Sequence, residues 1–397
     1  AEVYDKRLNG ELQENGGGST EWQKGYQNLR NVNYFFEYYK VPETEETKDV
    51  LSMKGEAYFF RAYWHFYLLT RFGSIPVMDS FWDRNATVGG LQIPPRDRSA
   101  VAQFILDDLN TAKELLHPRS QYKGLRVCKE AAIIMAMRVA LYEGTWEKYH
   151  KGTDFATEDN SEEFFKEVMN WGDQYLFPAG LTLHMTATNP KATNIDDAFS
   201  ELFNSNDLSN ISEVTFWKKY SIADGVFNTV TQQLSGGVTD NVKPSGLSKS
   251  LVDNFLNVDG TPVDPTDEKY KDFNEVFKDR DGRLLAMVMH TGCKFKSNSL
   301  MNVRVYDETG TEAEQKEKNK DISSPRLNGD GIYKNVTGFH TRLGIDTTYV
   351  TGNCETAHVM FRYAEGLLCY AEAAAELGQY NDNVAEKTLK PLRQRAG

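Results

Sequence analysis

The chain has 397 residues, of which 40% are hydrophobic and 26% charged, a composition typical of a folded protein with a large core. Its formal net charge of -12 leaves no basic surplus to neutralise a phosphate backbone, so we expect no nucleic-acid partner. The length permits one large domain or two to three smaller ones. Aromatic residues make up 12% of the chain, and such a surplus of flat rings suits a binding surface as well as a core.

The first half of the chain has the spacing of helices. Apolar residues recur every three or four positions over 22–39, 101–116 and 164–176, and the alanine-rich residues 128–143 continue the pattern. The segment 54–72 differs, because seven of the thirteen residues 57–69 are aromatic. A helix that is apolar on every side must be covered by neighbours on every side. We therefore predict that 54–72 forms the inner helix of a packed array.

Two polar residues interrupt this apolar segment, Arg61 and His65, which lie one helical turn apart. Charged groups remain buried only when they are paired. Both side chains are therefore expected to have partners in the interior. Gly73 and Pro76 then end the helix and begin an extended segment.

The middle of the chain has a different composition. Residues 178–357 are rich in Gly, Asn, Asp, Ser, Thr and Pro, and 308–321 contain almost no apolar residue, which is typical of a solvated excursion. Helical spacing returns over 358–377 and 384–395. We predict a mainly α fold, a TPR-like scaffold of helical pairs with a large loop-rich insertion. In one domain spanning 1–397, residues 20–177 would form the N-terminal scaffold, 178–357 the insertion and 358–397 the C-terminal helical pair.

The sequence contains no recognisable motif of a catalytic or metal centre. H-E-x-x-H, G-x-S-x-G and the P-loop do not occur, so we expect neither a cofactor nor a metal. A glycoside hydrolase needs only two suitably placed carboxylates, and 57 acidic residues leave that alternative open. A TPR-type scaffold that binds a protein or peptide is the other alternative. The four cysteines form no C-x-x-C pair, and whether Cys293 and Cys354 form a disulfide stays open.

Five segments, in order along the chain, resemble stretches of one family. Residues 53–77 read MKGEAYFFRAYWHFYLLTRFGSIPV and residues 98–116 read RSAVAQFILDDLNTAKELL. The other three segments are 279–284 (DRDGRL, with Gly282 where the family usually has proline), 361–378 (FRYAEGLLCYAEAAAELG) and 392–397 (LRQRAG). All five are similar to segments of the SusD/RagB family of nutrient-binding outer-membrane lipoproteins, and together they bracket nearly the whole chain.

The resemblance implies a protein on the outer face of the outer membrane of Bacteroidetes, held by a lipidated N-terminal cysteine. Such proteins capture an oligosaccharide or polysaccharide, or sometimes a peptide, and deliver it to a TonB-dependent, SusC-like transporter. They bind their ligand and do not cleave it, so no enzymatic activity is expected. The leader and the lipidated cysteine are missing here, and family members usually continue beyond LRQRAG. We therefore expect a trimmed sequence.

Glycan capture directs attention to aromatic residues in loops. A sugar ring has C–H groups on its faces and hydroxyls at its rim, so aromatic rings stack on the face while amides, carboxylates and arginine bond the rim. One candidate cluster follows the apolar helix, and a second group of aromatic residues lies in the insertion. The expected ligand-binding residues are Trp82, Asp83, Arg84, Asn85, Trp217, Tyr220 and Phe227.

Overall fold

The computed structural model describes residues 19–82, 93–156, 159–185, 195–235, 246–268, 272–295, 299–303, 307–322, 338–346 and 352–396. These residues form two compact units. The first unit comprises the described residues up to His117 together with Met135–Val168, and the second comprises Pro118–Ile134 together with the described residues from Met169 onward. The division of one domain at 177 and 357 stays a prediction.

The prediction of a mainly α fold is confirmed. The helices are α1 (Thr20–Tyr38), α2 (Lys48–Phe72), α3 (Arg98–Leu115), α4 (Arg119–Tyr122), α5 (Lys129–His150), α6 (Ser161–Trp171), α7 (Ile195–Asn204), α8 (Val230–Ser235), α9 (Lys249–Asp253), α10 (Gly282–Met287), α11 (Glu312–Lys318), α12 (Tyr363–Glu376), α13 (Asp382–Lys387) and α14 (Leu389–Ala396). Short π or 3-10 segments are Glu43–Glu45, Gly172–Leu176, Phe177–Ala179 and Glu275–Phe277. The strands are β1 (Val214–Lys218), β2 (Lys294–Phe295), β3 (Ser299–Leu300) and β4 (His358–Arg362).

In the first unit, α1 and α2 pack closely and run antiparallel. Gly25 near the start of α1 faces Leu68 near the end of α2, whereas Phe36 near the end of α1 contacts Tyr58 nearer the start of α2. A Cβ atom on Gly25 would lie 2.5 Å from Leu68 Cδ2, well inside van der Waals contact. The absence of a side chain at Gly25 therefore sets how closely these two helices approach.

The helices α2 and α3 also pack closely and run antiparallel. Gly55 lies against Leu115, so that a Cβ atom there would be 3.0 Å from the Cβ of Leu115, and Arg61 bonds Asp108 further along. The helix α2 ends at Gly73, whose φ of 72° is a left-handed conformation that suits glycine. The expected inner helix is thus covered by a neighbour on each of two sides.

In the second unit, β1 and β4 form an antiparallel pair. Residues 358–362 were expected to begin a helix and instead form β4, with α12 starting directly afterwards at Tyr363. Glu213, just before β1, is buried and accepts hydrogen bonds from Arg362 (2.9 Å) and from Arg395 of α14 (2.6 Å). This buried pair of ion contacts joins the strands to the last described helix.

The structure also describes the state of the cysteines and whether any helix could cross a membrane. All four cysteines are free and buried, so Cys293 and Cys354 are not joined in this structure. Within the described part of the chain, no helix has both the length and the apolar content that crossing a bilayer requires.

Candidate functional site

Arg61 organises the interior of the first unit from the middle of the aromatic helix α2. Its Nε and Nη2 atoms donate to the two carboxylate oxygens of Asp108 at 2.8 and 2.7 Å, and its Nη1 atom donates to the backbone carbonyl of Asp79 at 2.9 Å. The guanidinium also lies 5.0 Å from the ring centre of Phe36 and 5.3 Å from that of Phe104. The expected partner of this buried charge is therefore present, on α3.

The segment after α2 is fixed by side chains from both helices. His65 donates from Nδ1 to the carbonyl of Arg61 at 2.9 Å and accepts from the Met78 amide at Nε2, at 3.0 Å. The Tyr26 hydroxyl donates to the carbonyl of Pro76, and Asn33 Nδ2 donates to that of Met78, both at 2.9 Å. These hydrogen bonds fix the backbone of residues 76–78 to α1 and α2. They thereby set where the following residues, including Phe81, lie along α1.

The chain then reaches an aromatic surface, which we name the aromatic platform and define as Tyr34, Tyr38 and Phe81. Tyr34 and Tyr38 are 49% and 55% exposed, one turn apart on α1, with ring centres 4.3 Å apart and planes inclined by 37°. The ring of Phe81 meets both of them edge-on, at 5.4 and 5.9 Å. Arg30 lies over Phe81 at 5.0 Å, and Trp82 is half-buried.

The platform has the chemistry of a stacking surface. Two exposed rings held against a third lose little conformational freedom when a flat ligand covers them, because each tyrosine has only two rotatable side-chain bonds. The tyrosine hydroxyls and the Arg30 guanidinium supply hydrogen-bonding groups at its edge. Of the predicted cluster, Trp82 directly follows Phe81 in the chain and is half-buried, whereas Asp83, Arg84 and Asn85 lie outside the described residues.

Trp217 has to be removed from the predicted ligand contacts. Its side chain is 1% exposed, packs in a core cluster with Leu202 and Val214, and donates from Nε1 to the carbonyl of Lys123 at 3.0 Å. Both faces and the polar edge of the indole are thus occupied within the second unit. The residue serves the core of this unit and offers no face to a sugar.

Tyr220 and Phe227 lie close to the surface of the second unit. The half-buried Tyr220 lines a cavity of about 360 Å³ together with Phe203, Asn228 and His358. Phe227, the neighbour of Asn228 in the chain, is 45% exposed. These two predicted residues therefore occupy positions that a ligand can reach, and their role in binding stays a prediction.

The sequence interpretation missed Tyr34 and Tyr38. The helix that contains them is predicted from its apolar residues, whereas the expected sugar contacts are aromatic residues in loops. The available signal was their separation of four residues, which places two tyrosines together on a helix face that carries no core residue. Among the residues described, no group of three or more His, Cys, Asp or Glu side chains could hold a metal ion.

Two family models match the chain on either side of its middle. The model described as the SusD family matches residues 217–397, and a second model, described as starch-binding associating with outer membrane, matches residues 4–141. A SusD-like protein named P2, from Formosa agariphila, is 27% identical over 169 residues. That match covers 43% of this chain and only 32% of the relative.

Solved structures share the fold at low sequence identity. A SusD-like carbohydrate-binding protein from Bacteroides fragilis is 20% identical with a TM-score of 0.67, and the match covers 95% of this chain and 64% of that protein. A laminarin-binding SusD-like protein is 18% identical with a TM-score of 0.55, over 96% of this chain and 71% of the other. At these identities the structures support the fold, and the chain spans less than two thirds of the first of them.

Proposed function

This chain belongs to the SusD/RagB family, and from that membership and the aromatic platform we propose that it binds an oligosaccharide or polysaccharide without cleaving it. The platform is the observation that carries the proposal. Tyr34 and Tyr38 on α1 are about half exposed, so part of their apolar ring surface faces water instead of packing in the core. A sugar face would cover this area with C–H groups.

The ligand class is also supported by the fold relatives, which include a carbohydrate-binding protein and a laminarin-binding protein. Polysaccharides are long and mostly uncharged, so they suit an open surface of stacked rings better than a closed pocket. We propose the half-buried Trp82, which follows Phe81 in the chain, as a further contact. We propose Asp83, Arg84 and Asn85, which follow Trp82 in the sequence, as hydrogen-bonding residues, with Tyr220 and Phe227 as further contacts.

The proposal includes a location and a partner. One of the two matching family models describes proteins that associate with the outer membrane. We propose that this protein acts at the cell surface, through a lipid anchor, and passes its glycan to a TonB-dependent, SusC-like transporter. Affinity purification of the tagged protein from its own outer membranes tests this part. Co-purification of a transporter barrel is the expected result, and its consistent absence would reject the partner.

The binding proposal is tested by affinity electrophoresis in gels containing starch, laminarin or xyloglucan. We expect the wild-type protein to be retarded by at least one polysaccharide. Tyr34→Ala/Tyr38→Ala and Trp82→Ala should each weaken binding about tenfold or more, because a stacked ring commonly contributes about 1–2 kcal/mol.

The matched control is Tyr380→Ala, which removes a tyrosine that is 42% exposed in the second unit. It should bind as the wild type does. Equal retardation of wild type and the platform variants would move the site elsewhere. Release of shorter sugars from any of these polysaccharides by the purified protein would favour a glycoside hydrolase instead.

A further inference from the structure

A second concave site lies in the first unit, at the end of α2. Two adjoining cavities of about 360 and 140 Å³ share Ser74, Arg98, Asp154 and Phe155, and we name this space the α2-end cleft. The larger cavity is also lined by Arg71, Phe72, Gly73 and Trp146, and the smaller one by Asp97 and Glu147. None of these residues belongs to the aromatic platform.

One wall of the cleft is rigid because of a buried ion pair. Arg98 donates from Nε and Nη2 to the two carboxylate oxygens of Glu143, at 2.7 and 2.8 Å, and its guanidinium lies 4.4 Å from the ring centre of Trp146. Trp146 in turn stacks on His150 at 4.1 Å with planes inclined by 16°. Gly73 lies beside this guanidinium: a Cβ atom there would be 3.6 Å from Nη1, an ordinary contact distance.

Phe155 stands beside this wall on a fixed turn. Its amide donates to Thr153 Oγ1 at 3.2 Å, and its carbonyl accepts from Trp146 Nε1 at 3.2 Å. Nevertheless Phe155 is 67% exposed. The amide and carbonyl of Phe155 are thus both hydrogen-bonded, while its apolar side chain faces solvent at the edge of the cavity.

The polar groups of the cleft carry charges of both signs. Asp97 occupies the N-cap position of α3, where it is exposed and its carboxylate makes no capping bond. Asp154 adds a second exposed carboxylate, whereas Arg71 and Ser74 add donors. Besides Arg98, which is paired with Glu143, the cleft is lined by the Arg71 guanidinium and by the carboxylates of Asp97, Asp154 and Glu147, so donors and acceptors occur together. A neutral polyhydroxylated ligand can use both kinds of group, since each hydroxyl both donates and accepts.

We infer that the α2-end cleft is a second saccharide-binding site, which takes a short neutral oligosaccharide segment with one sugar face on Phe155 and hydroxyls on Asp97 and Asp154. The ligand class rests on the proposed function, but the residues are different. The larger cavity, at about 360 Å³, lies within the range of about 300–1,000 Å³ that is common for small-ligand sites.

Calorimetric titration of the full chain can separate the two sites. The ligands are oligosaccharides prepared from starch, laminarin and xyloglucan, and the starting protein is the Tyr34→Ala/Tyr38→Ala variant. We expect this variant to retain weak binding of at least one of them. Adding Phe155→Ala or Asp97→Asn should weaken that residual binding about tenfold or more. Adding Tyr149→Ala, which removes an exposed tyrosine outside the cleft, should leave it unchanged.

The outcomes distinguish the two proposals. If the platform variant binds none of the oligosaccharides that the wild type binds, the cleft is not a site and the platform alone carries the function. If residual binding persists and Phe155→Ala does not change it, the cleft is likewise rejected. If wild type and platform variant bind equally and only Phe155→Ala weakens binding, the cleft is the site and the platform assignment is wrong.

Discussion

His65 is held in one protonation state by its surroundings. The side chain is fully buried on α2, and this burial lowers the pKa of the imidazole to about 3. The neutral ring can donate from one nitrogen and accept at the other, as its bonds to Arg61 and Met78 require. Protonation would remove the acceptor for the Met78 amide and so release the segment that leads to the aromatic platform.

The pH dependence of stability follows from this shift. Because the pKa of His65 in the folded protein lies below the unfolded value of about 6.5, the unfolded chain binds the proton more readily. The stabilisation is complete above pH 6.5 and falls as the pH drops toward 3, by up to about 1.4 kcal/mol per pH unit. His65→Gln keeps a donor and an acceptor but does not titrate.

Urea unfolding at a series of pH values measures this effect. The free energy of unfolding of the wild type should fall more steeply than that of His65→Gln between pH 6.5 and about 4. Parallel curves for the two proteins would show that His65 does not couple to folding in this way.

Sequence reasoning at this scale predicted the need for partners but not the partners. A buried charge or imidazole must be satisfied in any fold, so Arg61 and His65 could be singled out from composition alone. Asp108 is 47 residues from Arg61, and the partner of His65 at Nε2 is a backbone amide. Neither kind of partner leaves a local signal in the sequence.

At the scale of elements, the pairing of α1 with α2 depends on Gly25. Alanine has a higher helix propensity than glycine by up to about 1 kcal/mol, which alone would stabilise α1. The added methyl group would, however, lie 2.5 Å from Leu68 Cδ2, and Leu68 is fully buried. Overpacking of this kind costs about 1–3 kcal/mol, so the clash should outweigh the propensity gain.

We therefore expect Gly25→Ala to lower the free energy of unfolding by about 1–2 kcal/mol in urea titrations. Lys24→Ala changes an exposed neighbour on the same helix and is the control, with little expected effect. A Gly25→Ala protein that is as stable as the wild type or more stable would mean that α1 and α2 pack less tightly than described.

The long helices could be predicted because their apolar spacing extends over many turns, whereas short elements could not. Residues 358–362 were assigned to a helix because they run without a break into one, and only their pairing with β1 makes them a strand. Residues 308–321 were expected to be a solvated excursion. They are exposed for the most part, but they contain α11, whose start is fixed by a capping box of Thr311 and Glu314.

For the site, the sequence identified candidate aromatic residues but did not show which of them are buried. The role of Trp82 stays a prediction: its place after the apolar helix could be seen in the sequence, and the structure shows it half-buried there. Trp217 was predicted as a ligand contact because it is an aromatic residue of the loop-rich insertion, but the run 214–217 is not a loop. It is a strand in which Trp217 faces the core. Burial of a short strand depends on which partner covers it, and that information is not local.

At the scale of the molecule, the platform and the α2-end cleft lie toward opposite ends of α1. Trp22, at the start of the helix, contacts Phe72 beside the cleft, and Tyr34 and Tyr38 lie near the other end. With a rise of 1.5 Å per residue, the separation along the helix is about 20 Å. A long polysaccharide could occupy both sites at once, whereas a short oligosaccharide could occupy only one.

Bridging of this kind predicts a dependence on chain length. For a ligand that spans both sites, the second contact is intramolecular and raises the overall affinity. Phe155→Ala should therefore weaken binding of the polymer by about tenfold or more while leaving binding of a short oligosaccharide to the platform nearly unchanged. Surface plasmon resonance with fractions of increasing chain length measures this. Equal losses at every chain length would argue against simultaneous occupation.

The most direct measurement of the central claim is a calorimetric titration of wild type, Tyr34→Ala/Tyr38→Ala and Tyr380→Ala with the polysaccharide that retards the wild type. The platform account predicts that the double variant loses affinity about tenfold or more while its thermal unfolding stays cooperative, and that Tyr380→Ala matches the wild type. Unchanged affinity in the folded double variant would contradict it.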